Sequence, residues 1–252
     1  MNFIKRVFDF FNDDTPYYAA SLSFFTIFAI LPLIALLIVI ISNIPAFAQH
    51  LDTIMLYILD FINPTHSTTL STQIEKFLAN TEKLGYIGIV YLMFVFTMFF
   101  KDYEYIVNKI HGVSSRALYK SFFLYLSFLI IIPILFFIFI FLSTFSGLPS
   151  LIYIFTSLFL WLVFILLFMI PANKKITLGS AAFSSSITLV TLSITKTLFG
   201  YYVSANTTYA TIYGSFSVAL FFFLWIYISW NIYLYGTKLC SILNKAKLPD
   251  EN

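Results

Sequence analysis

Charged side chains are what this chain has least of. Only 10% of its 252 residues are charged, whereas 60% are hydrophobic and 21% are aromatic. A typical soluble domain has about 25% charged residues, so water is not the main solvent of this chain. No Asp or Glu occurs between Ala117 and Pro249. That absence excludes a carboxylate relay in the second half of the protein and disfavours a proton-coupled carrier of the acidic type.

Residues that carry chemistry are also scarce. The single Cys240 excludes an internal disulfide and a CxxC redox motif. The histidines His50, His66 and His111 lack the mutual spacing of paired metal ligands, and no GxxxxGK[ST] nucleotide loop is present. The sequence therefore predicts no metal site, no cofactor, no nucleic-acid partner and no enzymatic activity.

Long apolar stretches fill most of the chain. A helix needs about 20 apolar residues to cross a bilayer, and a segment in lipid has to be helical because its backbone groups find no other partner. We predict an all-α, polytopic membrane helix bundle that forms one integral membrane domain over residues 1–252. Six transmembrane helices are expected at 20–42, 84–107, 121–145, 148–170, 176–199 and 212–238. The charged side chains of 101–107 are expected to extend toward lipid headgroups while the helix continues.

Two segments outside these stretches have amphipathic spacing. Residues 1–14 place Phe3, Val7 and Phe10 on one face, which predicts a cytoplasmic interfacial helix. Residues 43–83 form a periplasmic helical region, in which apolar residues of 51–62 recur every three or four positions. A lid over a substrate path would explain that region. Helices that lie at the interface or cap the bundle are the simpler account, which we favour because amphipathic spacing indicates only an apolar neighbour.

The distribution of Lys and Arg predicts the orientation. With the N-terminus inside, 11 of the 14 basic residues are cytoplasmic, and only Lys76, Lys83 and Lys196 lie on the other side. This bias is the positive-inside pattern, so both termini should be cytoplasmic. Residues 46–48 resemble a signal-peptidase site, but the preceding apolar run exceeds the roughly 7 to 15 residues of a signal sequence, which favours a retained helix.

Small polar residues line one face of the fifth stretch and are candidates for a substrate path. Ser and Thr at such positions also let helices approach closely and bond to carbonyl groups, and packing is the commoner role. Lys196 is expected at the outer headgroups, where it extends to water or receives a lipid phosphate. The candidate residues of this face are Ser180, Ser184, Thr188, Thr191 and Thr195.

Three further residues complete the candidate path. Pro32 and Pro133 interrupt the first and third stretches, and paired broken helices are typical of transport sites near the bilayer centre. Asn231 is costly in hydrocarbon unless it faces protein, and an interhelical hydrogen bond is its simpler explanation.

Several motifs resemble one known family. The last stretch, with Tyr213, Gly214, Trp225 and Gly236, resembles the end of the YihY/virulence factor BrkB family. Here Lys238 stands where that family usually has Glu, and His111 stands where it usually has Trp. Further matches, which extend the resemblance over essentially the whole chain in order, are Asn108, Gly112, Pro171 and Gly179.

The resemblance implies a six-span, multi-pass protein of the bacterial inner membrane, associated with virulence. It also brings the suggestion that some members move lipids or lipid-linked glycolipids, and a ribonuclease label that no acid/base or metal constellation in this chain supports. The leading hypothesis is a translocator of an amphipathic anionic envelope molecule. Its cytoplasmic headgroup-binding rim would consist of Lys109, Arg116, Lys120, Lys174 and Lys175.

Three questions stay open at this point. The topology signal alone also explains the basic rim. A non-transporting envelope scaffold that binds a partner through 43–83 is the alternative function, whereas an ion channel is disfavoured because no filter-like loop is present. Membrane lipids are the expected partners, and a homo-oligomer or an envelope protein partner stays open.

Overall fold

Six long helices form the part of the chain that the computed structural model describes, namely residues 10–42, 85–145, 149–206 and 216–247, with single residues at 56, 59, 68, 71, 72, 74, 76 and 213. No strand occurs among these residues, which confirms the all-α prediction for them. The helices are α1 (Thr15–Ser42), α2 (Gly85–His111), α3 (Leu118–Phe145), α4 (Pro149–Met169), α5 (Leu178–Ala205) and α6 (Phe216–Lys247).

Each helix corresponds to one predicted apolar stretch, and the largest differences lie at helix ends. Helix α5 continues to Ala205 and α6 to Lys247, beyond the predicted ends at 199 and 238. Apolar run length predicts the hydrocarbon segment, whereas a helix continues into the polar interface as long as its backbone bonds are made. The basic side chains of Lys245 and Lys247 in the last turn of α6 favour that extension through the helix dipole.

Two of the helices, Leu178–Ala205 and Phe216–Lys247, are long and apolar enough to cross a bilayer when only described residues are considered. The six predicted helices are confirmed among the described residues. That all six cross the membrane stays a prediction. Of the two predicted segments outside the apolar stretches, 1–14 is described only from Phe10 onward. The region 43–83 lies outside the described residues apart from seven single positions.

Helix α6 is the centre of the bundle, because it packs against α5, α1 and α2. Consecutive helices also pack together from α1 to α5, and α1 contacts α3 as well. One hydrophobic core receives side chains from all six helices, including Leu22, Val107, Tyr125, Phe168 and Leu234.

The two described connections, 112–117 and 170–177, lie at the same end of the bundle, which we call the loop end. Arg116 in the first connection donates to the carbonyl oxygens of Pro171 and Ala172 in the second at 3.1 and 2.8 Å. Lys238 of α6 contacts Asp13 at 2.6 Å, and Asn244 of α6 accepts a hydrogen bond from the backbone of the second connection. The start of α1 and the end of α6 therefore lie at the loop end as well.

Helix α5 buries several small polar side chains and exposes a row of large apolar ones. Ser180, Ser184 and Thr188 are buried. The opposite face carries exposed apolar side chains over 15 residues, or about 22 Å at 1.5 Å per residue. These are Phe183, Ile187, Val190, Ile194 and Leu198. A helix of a water-soluble protein buries a row of large apolar side chains of this kind.

Candidate functional site

The end of α2 is built by Asn108 and Gly112, two residues that the family resemblance singles out. Gly112 has a φ of 71°, the left-handed conformation that ends helices. Its N–H donates to the Lys109 carbonyl at 3.1 Å, and the Val113 N–H donates to the Asn108 carbonyl at 2.9 Å. These two bonds form a Schellman motif, which satisfies the carbonyls at the helix end and turns the chain into the first connection.

The side chain of Asn108 joins the end of α2 to the second connection. Its Nδ2 group donates to the carbonyls of Glu104 at 2.9 Å and Pro171 at 3.2 Å. Its Oδ1 accepts the backbone N–H of Asn173 at 2.6 Å. An amide is suited to this position because Asn and Gln offer two N–H donors and a carbonyl acceptor in one group.

Glu104 is a buried carboxylate that sequence reasoning did not single out. We expected the charged residues of 101–107 to extend toward headgroups, but Glu104 is only 1% exposed, which corrects that expectation for this side chain. Its Oε1 accepts the backbone N–H of Arg116 at 3.0 Å and lies 3.6 Å from the guanidinium. Its Oε2 is buried without a hydrogen-bond partner. Glu104 and Asn108 are four residues apart and therefore share a helix face.

A cavity of about 410 Å³, which we call the charged cavity, lies between α2 and α3 beside this carboxylate. Two acidic and two basic residues line it, namely Asp102, Glu104, Lys101 and Arg116. Phenylalanine side chains, including Phe100, form much of the remaining wall. The cavity therefore combines charges of both signs with an apolar surface.

A second cavity, of about 330 Å³, lies inside the bundle and is called the inner cavity. Seven of its twelve lining residues are aromatic, so its wall suits an apolar chain. Leu192 of α5 lines it about 21 Å along the helix from Leu178, which places the cavity near the middle of α5. Phe100 lines both cavities and separates the charged space from the apolar one.

A pair of tyrosines borders the inner cavity toward α4. Pro171 has no N–H group, so the carbonyl of Leu167, four residues earlier, has no helical partner. The hydroxyl of Tyr233 donates to that carbonyl at 2.8 Å, and the hydroxyl of Tyr103 lies against both groups. Pro171, a family-motif residue, thus creates the acceptor that fixes two aromatic walls of the cavity.

The predicted polar path on α5 does not coincide with either cavity. Thr188 and Thr191 donate to carbonyls four residues earlier in their own helix at 2.8 Å, and Ser180 accepts a hydrogen bond from Thr177. Ser180, Ser184 and Thr188 are buried, whereas Thr191 is exposed and Thr195 is partly buried. None of these five side chains lines either cavity. Their role in a path stays a prediction.

The other predicted path residues are placed as follows. Asn231 is partly buried and donates to the carbonyl of Tyr227 at 2.9 Å, within its own helix. Lys196 is partly buried near the far end of α5. Pro32 and Pro133 lie within α1 and α3, but their side chains lie outside the described residues.

The predicted rim divides into two groups. Arg116 is engaged with Glu104, Pro171 and Ala172, so it joins elements of the protein. The ammonium of Lys109 lies 5.1 Å from the ring centroid of Tyr18, and that of Lys120 lies 6.0 Å from the ring of Tyr119. Lys109, Lys120 and Lys175 are exposed, whereas Lys174 is partly buried.

Two motif glycines differ in how closely other atoms approach. A Cβ on Gly236 would lie 2.1 Å from the hydroxyl oxygen of Thr188 and 3.0 Å from the ring of Phe168. Only glycine fits there, because α5 and α6 meet at this point. A Cβ on Gly179 would meet only the flexible end of Lys247, at 2.8 Å.

The remaining family-motif residues are Trp225, Tyr213 and Gly214. Trp225 is buried and lines the inner cavity. Tyr213 is exposed, and Gly214 lies outside the described residues.

His111 is buried, and its Nε2 has no hydrogen-bond partner. Burial lowers its pKa to about 4, and the positive charges of Lys174 and Lys245 add to that effect. A neutral ring at neutral pH is consistent with a position where the family usually has an aromatic residue. The described residues contain no group of three or more His, Cys, Asp or Glu placed to hold a metal ion.

Lys238, the departure from the family pattern, anchors the start of α1. Its ammonium contacts the carboxylate of Asp13 and the backbone carbonyl of Phe10. Burial pushes the pKa of Asp13 upward, but hydrogen bonds from Lys238 and Thr15 outweigh it and lower the pKa overall. A glutamate at position 238 would place two negative charges together, so this pairing requires the lysine.

Comparison with known proteins supports the family resemblance. The family model described as Virulence factor BrkB matches residues 7–252. A UPF0761 membrane protein of Haemophilus influenzae is 28% identical over 240 residues, which are 90% of this chain and 89% of the relative. A UPF0761 membrane protein of Pseudomonas paraeruginosa is 29% identical over 253 residues, 95% of this chain but 62% of the relative.

A UPF0761 membrane protein of Legionella pneumophila is 27% identical over 241 residues, which are 91% of this chain and 58% of the relative. The chain thus spans less than two thirds of the Pseudomonas and Legionella proteins. No solved structure matches it. This chain is a membrane protein and belongs to the Virulence factor BrkB family.

Proposed function

We propose that this protein crosses the bacterial inner membrane six times, with both termini cytoplasmic, and translocates an amphipathic, anionic lipid or similar envelope molecule. The observation that carries the proposal is the pair of adjoining cavities. The charged cavity offers polar groups of both signs, the inner cavity offers an aromatic wall, and Phe100 belongs to both. A molecule with a polar head and an apolar chain matches that combination.

The membrane placement is supported by the outward apolar stripe of α5. A stripe of Phe, Ile, Val and Leu about 22 Å long faces outward, and Ser180, Ser184 and Thr188 are buried. Lipid replaces water as the partner of such a stripe. Similar exposed apolar side chains occur on every described helix, including Phe28, Phe94, Phe123, Leu160 and Phe223.

The orientation is supported by charge. The loop end carries Lys109, Lys120, Lys174, Lys175 and Lys245. Basic residues concentrate on the cytoplasmic side of inner-membrane proteins, so this end is assigned to the cytoplasm. Each such residue contributes about 1 kcal/mol near an anionic surface. The same lysines would draw an anionic headgroup toward the charged cavity.

Protein-dependent lipid movement in proteoliposomes tests the function. Fluorescently labelled lipids with different headgroups are incorporated, and a membrane-impermeant reductant reports how fast each class changes leaflet. We expect the folded protein to accelerate one anionic class. No acceleration of any class would reject translocation and favour the partner-binding scaffold.

A pair of variants on α5 connects the assay to the inner cavity. Leu192 lines the cavity and is 8% exposed, whereas Leu198 is 63% exposed on the outward face. Leu192→Trp fills the inner cavity and should slow movement, and Leu198→Trp should not. Equal rates in the two variants would reject the inner cavity as the path.

The basic rim is tested by a double substitution. Lys174→Ala together with Lys175→Ala should reduce binding of anionic headgroups without changing the topology. Unchanged binding would reject the rim.

A further inference from the structure

The polar groups that line the inner cavity are already bonded within the protein. Four of its lining residues have a hydroxyl group, and each of these hydroxyls donates to a backbone carbonyl, namely those of Thr26, Tyr103, Ser229 and Tyr233. The indole N–H of Trp230 donates to the hydroxyl oxygen of Thr26 at 2.8 Å. Every one of these donors is therefore used before a ligand arrives.

The inner cavity also offers no charge to a ligand. None of the twelve described residues that line it is charged. A buried charge is costly unless a counter-charge and hydrogen bonds compensate it. A phosphate or an ammonium group would find neither in this cavity, whereas a hydrocarbon chain needs neither.

The size of the inner cavity limits what it can hold. An apolar cavity of about 150 Å³ stays dry and accommodates one benzene molecule. The inner cavity has about twice that volume, about 330 Å³, which corresponds to about twelve carbon atoms. A typical acyl chain of a membrane lipid is longer than that, so part of one chain fills the cavity and a second chain does not fit.

The position of the inner cavity indicates where the chain comes from. Leu192 of α5 lines the cavity, and Val190 and Ile194, about 3 Å away along the helix on either side, are exposed. The cavity therefore lies at the level of the outward apolar stripe. In the proposed membrane placement, the surroundings at this level are the hydrocarbon chains of lipids and not water.

We propose that the inner cavity is a binding site for one hydrocarbon chain of a membrane lipid, whose terminal segment of about twelve carbon atoms enters while the headgroup stays outside. The chain end enters first, because the headgroup finds no partner inside. This inference rests on the proposed function and states which part of the substrate the cavity receives. Chain binding is measured without lipid movement, so the two can fail separately.

Tryptophan fluorescence reports the occupant of the cavity. The chain has three tryptophans, of which Trp225 and Trp230 line the inner cavity and Trp161 lines neither cavity. In a Trp161→Phe protein, all tryptophan emission therefore comes from the cavity wall. Bromine atoms quench an indole that lies next to them. Trp225 is only 2% exposed, so a chain that stays outside the bundle does not lie against it.

The purified Trp161→Phe protein is placed in three kinds of phosphatidylglycerol vesicles. The acyl chains carry bromines near the chain end, bromines beside the carboxyl group, or no bromine. The emission in each brominated vesicle is divided by the emission of the same variant in the vesicle without bromine. This ratio removes any direct effect of a substitution on the fluorescence.

Two matched pairs of variants in this background locate the chain. Ser229→Phe fills the cavity, and Ser127→Phe is its control. Ser127 is exposed on α3 and, like Ser229, donates to the carbonyl four residues earlier at 2.8 Å. Leu192→Phe inside the cavity and Leu198→Phe on the outward face form the second pair, which keeps the test available if Ser229→Phe fails to fold.

We expect chain-end bromines to quench Ser127→Phe more strongly than Ser229→Phe, because the added ring excludes the chain. Bromines beside the carboxyl group should quench the two variants equally, since that part of the lipid stays outside. The second pair should behave in the same way.

Two results would overturn the proposal. Equal quenching by chain-end bromines within the matched pairs would reject a chain in the cavity. A difference of the same size with bromines beside the carboxyl group would reject entry by the chain end alone. A failed translocation assay with the expected quenching would reject translocation and support the chain site, and the reverse combination would reject the chain site alone.

Discussion

The loop end of the bundle and its middle are held together by different interactions. At the loop end, Asn108, Arg116 and Asn244 join helices to connections through hydrogen bonds to backbone groups. In the middle, aromatic side chains pack around the inner cavity, and hydroxyl groups such as that of Thr188 bond within their own helix. In lipid the hydrophobic effect does not drive helices together. Hydrogen bonds therefore hold the loop end, and close van der Waals packing holds the middle.

Arg116→Ala tests the loop end and should have the largest effect. The substitution leaves Glu104 buried without its counter-charge, which typically costs about 3 to 5 kcal/mol. Denaturant-induced unfolding in detergent micelles would measure the loss. Lys238→Ala is the control, since Lys238 and Asp13 are a more exposed pair and should contribute about 1 kcal/mol or less.

A double substitution shows whether the charge is the cause. Glu104→Gln removes the negative charge, so Glu104→Gln with Arg116→Ala should be less destabilised than Arg116→Ala alone. If the double variant loses as much unfolding free energy as Arg116→Ala, or more, then the backbone hydrogen bonds of Arg116 hold the loop end and the ion pair does not.

Acidification should weaken the loop end through His111. Its folded-state pKa is about 4, below the unfolded value of 6.5, so the unfolded state binds more protons between these values. The stabilising contribution is fully present above pH 6.5 and is lost as the pH falls toward 4, by up to about 3 kcal/mol. Thermal unfolding at pH 7.5 and pH 5 would measure it. His111→Phe cannot titrate and should flatten this dependence, whereas an unchanged slope would place its origin elsewhere.

Two glycine substitutions compare packing in the middle with packing at the loop end. Gly236→Ala forces a Cβ against Thr188 where α5 and α6 meet, and overpacking of this kind costs about 1 to 3 kcal/mol. Gly179→Ala displaces only the end of Lys247 and should change the free energy of unfolding by less than about 0.5 kcal/mol. Denaturant unfolding curves of both variants would measure the two changes in the free energy of unfolding. Similar changes in the two variants would contradict the close approach at Gly236.

Tyr233→Phe should have a smaller effect than Gly236→Ala. Removal of the hydroxyl leaves the Leu167 carbonyl with Tyr103 alone, a loss of about 0.5 to 1.5 kcal/mol. The Tyr103→Phe and Tyr233→Phe double variant should lose more than the sum of the single variants, because only then is the carbonyl unsatisfied. Additive losses would contradict the shared acceptor.

The helices were predictable from apolar run length, and the family was predictable from short motifs. The cavities were not, because aromatic residues occur throughout every stretch and no periodicity distinguishes Phe100 or Trp230 from lipid-facing phenylalanines. Glu104 was misplaced because charge alone suggests the interface, whereas Arg116, twelve residues later, provides the counter-charge that allows burial. The polar stripe of α5 was found, but its buried hydroxyls lie where helices pack and not along a cavity.

Photochemical labelling tests the central claim most directly, namely that the inner cavity receives the apolar part of a membrane lipid. Vesicles would contain a lipid with a photoreactive group on its acyl chain, and mass spectrometry would map the labelled residues after illumination. The account predicts labels on Leu192, Trp225 and Trp230, which line the inner cavity, in addition to the outward residues of α5. Labels confined to outward residues such as Phe183 and Ile194 would contradict it.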